Sequence, residues 1–402
     1  MLNDLSWITT FLVTLSSFVY LNRIAKKINL VDHPGGRKLH KTSTPLTGGA
    51  AIVLGGISYL CFHPHLLNNS TLLAIFSGSL AIFIIGLIDD LVDLRATLRL
   101  LLQGIITLSV IAGSGLLINS FGDLLFLGPI VLGLSAVPIT LFSIMAGVNA
   151  VNLSDGLDGL ASGLVMIPLL ILSVMTHQHP MLADVSQLLM GLCCAILGFL
   201  LVNFRFPWRQ KAHAFLGDAG STTLGFLLAF LLVYISQTDH SLFPPALALW
   251  LFAIPLLDTA SVISSRMRQR RSPFKPARDH LHHLLLDRGF SVTQTVLIIY
   301  ASACLFSLFA IMSYRLGLSE SFLFIGFLIL LGTHIWLMQD LARPTSRTFI
   351  GSNISNLIIF LNGQTKEVLA GSTSTGISTS TGINPSLASA NNPPDPSSGK
   401  AA

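Results

Sequence analysis

Eleven apolar runs follow one another along this sequence, near 7–22, 46–62, 71–88, 98–118, 129–148, 160–176, 186–202, 219–236, 244–264, 293–314 and 320–338. A helix that crosses a bilayer needs about 20 mainly apolar residues, because its backbone polar groups can be satisfied only within the segment. The runs at 46–62 and 160–176 are the shortest. With 52% hydrophobic and only 10% charged residues, the 402-residue chain lacks the polar surface of a soluble domain. The expected fold class is therefore all-α: a polytopic membrane protein with about 11 transmembrane helices.

The basic residues fix an orientation, since cytoplasmic loops retain Lys and Arg. If the first run passes from outside to inside, the alternate loops hold 6 basic residues in 23–41, 2 in 89–99, 3 in 203–213, 7 in 265–292 and 4 after the last run. That places 22 of the 23 Lys and Arg on one side, with Arg315 alone opposite. The N-terminus is thus expected outside and the C-terminus in the cytoplasm. The cluster Arg23, Lys26 and Lys27 follows the first run rather than preceding it, which is the wrong polarity for a cleaved signal peptide. Residues 1–340 read as one multi-span domain, 341–362 as a short juxtamembrane segment, and 363–402, rich in Ser, Thr, Gly, Asn and Pro, as a disordered tail. The net charge of +5 is accounted for by this topology and by neighbouring anionic membrane lipid, and does not call for nucleic acid.

The acids are unusual in kind, 16 Asp against only Glu320 and Glu367. Four polar stretches fall on the basic side: DDLVDLRATLR (89–99), NAVNLSDGLDG (149–159), FLGDAGSTTLG (215–225) and RMRQRRSPFKPARDHLHH (266–283). Hydropathy and basic charge alone made that assignment, so the agreement of all four points to one assembled site. Asp89, Asp90, Asp155, Asp158 and Asp218 would repel one another if clustered at the interface, and so require a cation. Oxygen ligands without thiolates favour Mg²⁺, or Mn²⁺, over zinc, and Mg²⁺ with few protein ligands commonly bridges to substrate phosphates. Arginines are the matching partners, since the guanidinium fork binds phosphate bidentately. Gly217 and Gly220 around Asp218 would let backbone N–H groups approach an anion. Simpler readings stand beside these. Asp89 and Asp90 could mark a solvated helix end, and the basic run could bind lipid headgroups. Asp93, Asp258 and Asp279 read as hydrogen-bonding or capping groups. His280, His282 and His283 cannot share one helical face, so at least one is structural.

Together with DHPGGRKLHKTSTPLTGG (32–49), these stretches closely resemble the polyprenyl-phosphate N-acetylhexosamine-1-phosphate transferases, over Asp32 to Ser291. RDHLHHLLLDRGFS (278–291) is similar to the branch that uses UDP-GlcNAc, whereas NAVNLSDGLDGLA resembles the transferases of phospho-MurNAc-pentapeptide. The resemblance implies Mg²⁺-dependent transfer of a sugar 1-phosphate from a UDP-N-acetylhexosamine to undecaprenyl phosphate, releasing UMP, at the bacterial inner membrane in the synthesis of O-antigen or a similar polymer. It implies Asp218 as metal ligand with Asn152 as a second. Asp155 and Asp158 fall where the family contacts the nucleotide, and Arg266, His280, His282 and His283 where it holds pyrophosphate and sugar. Arg99 matches a basic residue for the lipid phosphate, with Arg95 one turn before it and Lys38 and Lys41 as further phosphate contacts. Asp89 or Asp90 would take the last proton from the lipid phosphate, or hold metal and basic side chains; a covalent aspartyl intermediate is the alternative. UDP-FucNAc, UDP-QuiNAc and UDP-MurNAc-pentapeptide are alternative donors. A homodimer is compatible with the exposed spans, which show no clear interface. From another class, a secondary transporter also has many spans and acids, but would place ionisable groups near the midplane and show repeats. Segments 32–49 and 266–291 are expected to cover the site as extended loops.

Overall fold

A computed structural model describes residues 2–33, 43–238, 241–271 and 279–343. The apolar runs become α1 (Leu2–Lys27), α2 (Gly48–Phe62), α3 (Ser70–Val92), α4 (Ala96–Ser114), α5 (Ala136–Ser154), α6 (Leu160–His177), α7 (Ala183–Asn203), α8 (Gly217–Gln237), α9 (Pro245–Leu251), α10 (Ala253–Arg268), α12 (Val292–Arg315) and α13 (Glu320–Leu341), with a short α11 (Leu281–Asp287) between α10 and α12. An antiparallel ladder of β1 (Val31–Asp32) and β2 (Thr44–Pro45) is the one sheet among the described residues. Among the described residues, nine helices are long and apolar enough to cross a membrane, and α9 with α10 forms a further segment bent by 83°. The protein is an all-α, multi-pass membrane protein.

Three departures from the expected spans have physical causes. The run at 244–264 is not one helix: it breaks at Phe252, three residues before Pro255, which has no N–H to continue the α9 ladder. The break is tolerated because Phe252 and Ala253 are buried in protein. α2 has only 15 residues, about 22 Å of helix, less than the hydrocarbon thickness. The fifth span lies later than 129–148. Gly128 and Gly133 take positive φ and delay its start, so Asn152 and Ser154 stand on the last turn of α5 and not in a loop after it.

α8 is the central helix, with almost every residue buried. Its neighbours approach it on small residues, as helices in lipid must where no hydrophobic effect drives them together. A Cβ added to Gly86 of α3 would lie 2.5 Å from the Ala219 Cα of α8, and one on Gly49 of α2 would lie 2.5 Å from the Gly220 N. Gly225 meets α5 in the same way, 2.9 Å from the Val148 Cα. These contacts between backbones seat α2 and α3 on the first turn of α8 and α5 about two turns further along it. Strand β2 continues into this junction: Phe215 N–H donates to the Pro45 carbonyl at 2.8 Å, and Gly48 N–H to the Phe215 carbonyl at 2.9 Å. Of the four cysteines, Cys193 is buried, Cys194 and Cys304 are half-buried, and Cys61 is exposed.

Candidate active site

The last turn of α3 carries Asp89 and Asp90, and the chain then leaves through Asp93, whose φ of 52° closes the helix in the left-handed region. Asp93 is thus a capping position. The reversal returns Arg99, on the first turn of α4, to Asp89. Arg99 Nη1 donates to Asp89 Oδ2 at 2.6 Å and to Asp218 Oδ2 at 3.3 Å. Asp89 Oδ1 accepts the Leu94 N–H at 2.8 Å, so both oxygens of this buried carboxylate are engaged.

Asp90 faces the start of α8. Its Oδ1 accepts the Asp218 N–H at 2.8 Å and its Oδ2 the Ala219 N–H at 3.0 Å, which puts a carboxylate at the positive end of the helix dipole. Gly217 makes room for it: φ there is 75°, and a Cβ would lie 2.6 Å from Asp90 Oδ2. The glycines of FLGDAGS were expected to bring N–H groups to a bound anion; the anion they receive is the protein's own Asp90. Asp218 itself is held from the far side. Asn152 Nδ2 donates to Asp218 Oδ1 at 2.6 Å and to Ser221 Oγ at 3.0 Å. A continuous chain of contacts, Asp89–Arg99–Asp218–Asn152, therefore draws one residue from each of α3, α4, α8 and α5.

The turn between α5 and α6 forms the second part of the site. Asp158 Oδ2 accepts from Arg205 Nε at 2.6 Å. Asp155 keeps partial access to solvent, yet dense protein around it raises its pKa well above the usual carboxylate range, with Asp218, Asp90 and Asp158 adding to the shift. The ring of His282 lies against Gly156, where any Cβ would collide with it. His280 and His282 stack with ring centroids 5.8 Å apart, and His282 and His283 lie 4.2 Å apart.

The segment 266–291 is not wholly an extended loop, since α11 carries His282 and His283 on its first turn. The expectation of one structural histidine falls on His280: buried at the N-cap, it meets Asp258 Oδ2 through Nδ1 at 2.8 Å, while Asp258 Oδ1 accepts the Leu281 N–H at 2.8 Å. Arg266 binds Asp279 with its fork, Nε to Oδ2 at 2.9 Å and Nη2 to Oδ1 at 2.6 Å. Burial raises the Asp279 pKa, but the hydrogen bond and charge of Arg266 outweigh it and hold the carboxyl below its ordinary value. The hydrogen-bonding reading of Asp258 and Asp279 is what the structure shows.

Arg95 is exposed at the N-cap of α4 and makes no side-chain bond among the described residues. Lys38 and Lys41 lie outside the described residues. Sequence reasoning missed Arg205, whose only signal was its place among the three basic residues of 203–213. It also missed Asn203 and Tyr300, which bind the backbone of Gly159. A lone Asn at a helix end and a lone Tyr within a span carry no pattern that a sequence reading could use.

Among the described residues, no group of three or more His, Cys, Asp or Glu side chains is arranged to hold a metal. The donor chemistry at Asp218 nonetheless suits Mg²⁺: one carboxylate, the Asn152 amide and the Ser221 hydroxyl offer hard oxygens. Mg²⁺ typically takes one or two carboxylates and completes its octahedron with water and phosphate. A half-turn of the Asn152 amide, which exchanges its oxygen and nitrogen, would present Oδ1 beside Asp218.

The family model for glycosyl transferase family 4 matches residues 72–236, the stretch from α3 to α8 that holds this network. The chain is 31% identical to the undecaprenyl-phosphate alpha-N-acetylglucosaminyl 1-phosphate transferase of Yersinia pestis, over 76% of this chain and 83% of the relative. The enzyme of that name from Escherichia coli K12 is also 31% identical, over 80% and 87%. The one from Haemophilus influenzae is 31% identical over 85% of this chain and 98% of the relative.

Proposed function

The chain belongs to glycosyl transferase family 4, and from that premise we propose that it transfers N-acetylglucosamine 1-phosphate from UDP-GlcNAc to undecaprenyl phosphate and releases UMP. The observation that carries this reading is the contact chain Asp89–Arg99–Asp218–Asn152, set where four spans end at the basic side of the bundle. One substrate is a lipid whose phosphate stays at the membrane boundary, and the other is a soluble nucleotide sugar, so the reacting groups must lie where apolar helices stop. A phosphate oxygen of the lipid attacks the β-phosphorus, the bond from that phosphorus to the bridging oxygen breaks, and UMP leaves with the bridging oxygen. The lipid phosphate, with a second pKa of about 6 by analogy with phosphoserine, is already nucleophilic near neutral pH. The protein therefore has mainly to neutralise charge and align the attack.

Arg99 is the residue for the lipid phosphate: it lies between Asp89 and Asp218, and its partly exposed fork retains donors beyond these two contacts. Asp89 orients Arg99, which it binds at 2.6 Å, and would take the last proton of a lipid phosphate held there. Asp90 positions Asp218 by capping α8. Asp218 and Asn152 are the residues that would hold Mg²⁺, which when bound supplies charge neutralisation for the pyrophosphate and the departing UMP. Asp155 and Asp158 serve the nucleotide, and Arg266, His282 and His283 the pyrophosphate and sugar, while His280 keeps α11 in place. The basic end of the bundle faces the cytoplasm, where the UDP-sugar is found, across the bacterial inner membrane. The product, a lipid-linked sugar pyrophosphate, suits the first membrane step of a cell-surface polysaccharide such as O-antigen.

The test is UMP release by purified protein given UDP-GlcNAc and a polyprenyl phosphate, with and without Mg²⁺, beside Asp218→Ala. UMP that depends on lipid and Mg²⁺ and disappears in the variant is expected. Folded protein that forms no UMP from UDP-GlcNAc, UDP-FucNAc, UDP-QuiNAc or UDP-MurNAc-pentapeptide would refute the reading.

A further inference from the structure

Gly159 ends the turn that carries Asp155 and Asp158, at φ 85° on the N-cap of α6. Both of its backbone polar groups are held by side chains from distant helices. Its N–H donates to Asn203 Oδ1 at the end of α7, and its carbonyl accepts from the Tyr300 hydroxyl on α12. The clamp is closely fitted. A Cβ on Gly163, a turn later, would collide with Tyr300, so this glycine makes the groove that receives the tyrosine, while a Cβ on Gly159 would lie 2.7 Å from Phe204 Cδ2. Asn203 is itself buried, and its Nδ2 donates to the Ala214 carbonyl at 2.8 Å, four residues before Asp218. One amide thus ties the turn bearing Asp155 and Asp158 to the strand-like segment that enters α8.

We propose that Asn203 and Tyr300 are positioning residues for the transfer: Tyr300 fixes the 155–159 turn for the nucleotide sugar, and Asn203 sets that turn in register with Asp218. This rests on the reading of the turn as the nucleotide side of the site. Both residues act through Gly159 and touch neither substrate. A purely structural hydrogen bond would lower thermal stability and weaken both substrates alike; a positioning bond weakens the one whose partners it holds.

The experiment compares Tyr300→Phe, Asn203→Ala and Asp158→Asn in full-length protein, measuring KM for UDP-GlcNAc and for polyprenyl phosphate separately, kcat, and Tm. Tyr300→Phe keeps the ring in its groove and removes only the hydroxyl. Its KM for UDP-GlcNAc is expected to rise roughly tenfold, the equivalent of about 1.4 kcal/mol for one buried hydrogen bond, with KM for the lipid unchanged within about twofold and Tm nearly unchanged. Asn203→Ala, which frees the Gly159 N–H and the Ala214 carbonyl together, is expected to raise the same KM and also to lower kcat. Equal rises in both KM values would overturn the proposal. So would unchanged kinetics in Tyr300→Phe while Asp158→Asn raises KM for UDP-GlcNAc, an outcome that leaves the reading of the turn intact. Unchanged KM for UDP-GlcNAc in Asp158→Asn would remove that reading and the clamp's role with it.

Discussion

Replacing Gly86 by Ala tests whether the α3–α8 crossing sets the geometry of the acids. The added Cβ would lie 2.5 Å from the Ala219 Cα, 2.7 Å from the Ala219 N and 2.9 Å from the Asp218 carbonyl oxygen, all backbone atoms that cannot rotate away. Reaching an ordinary contact near 3.5 Å opens the crossing by about 1 Å. The Asp90 bonds to the Asp218 and Ala219 N–H groups, now 2.8 and 3.0 Å, would stretch by a similar amount to about 4 Å and cease to be hydrogen bonds. Overpacking of this kind costs about 1–3 kcal/mol of stability, and a catalytic misplacement of about 1 Å can cost on the order of 100-fold in rate. The assay is UMP release with Tm of the solubilised protein, beside Gly104→Ala and Gly56→Ala, where a Cβ would have nothing within 4 Å. Gly86→Ala should lose about two orders of magnitude in kcat while the controls stay near wild type. If it keeps kcat within about twofold of wild type, as the controls should, the close approach does not govern the site and the reasoning fails.

Asp89→Asn should lower turnover by about 100-fold with little change in the Kd for UDP-GlcNAc; a proportional loss of both would exclude a role confined to positioning or proton removal at the lipid phosphate. Removing divalent cations with a chelator should abolish UMP release, with recovery on adding Mg²⁺ or Mn²⁺; activity that survives chelation would refute the metal role of Asp218 and Asn152. Asp155 predicts a pH dependence. Because its pKa in the folded protein is raised, chiefly by burial and then by Asp218, Asp90 and Asp158, the folded state holds this proton more tightly than the unfolded chain. The stability it contributes is present below the unfolded value of about 4 and is lost as pH rises towards the folded value. Asp155→Asn should flatten the fall in Tm over that range, and an unchanged Tm–pH profile would show that Asp155 does not titrate as described.

The membrane class was legible because hydrocarbon imposes a length and a composition on every span, and helices arise at all eleven apolar runs. The four polar stretches were legible as one site because the segregation of Lys and Arg and the placement of Asp agree without sharing any residues. The same reasoning gave the types of group present but not their partners. It assigned the glycines of FLGDAGS to an external anion, since a sequence cannot tell a substrate from an aspartate 128 positions earlier that packs on the same helix end. It left the three histidines equivalent until the 2.8 Å contact between His280 and Asp258 separated the structural one. Arg205, Asn203 and Tyr300 stayed hidden because their roles depend on where α7 and α12 pass the 155–159 turn. Hydropathy and charge act on each residue locally, so the sequence alone determined the membrane class, the apolar helices and the chemical character of the site. Which carboxylate caps, which pairs with arginine and which stays accessible was decided only by the tertiary structure, because those roles follow from distances that Gly49, Gly86 and Gly225 set between helices far apart in the chain.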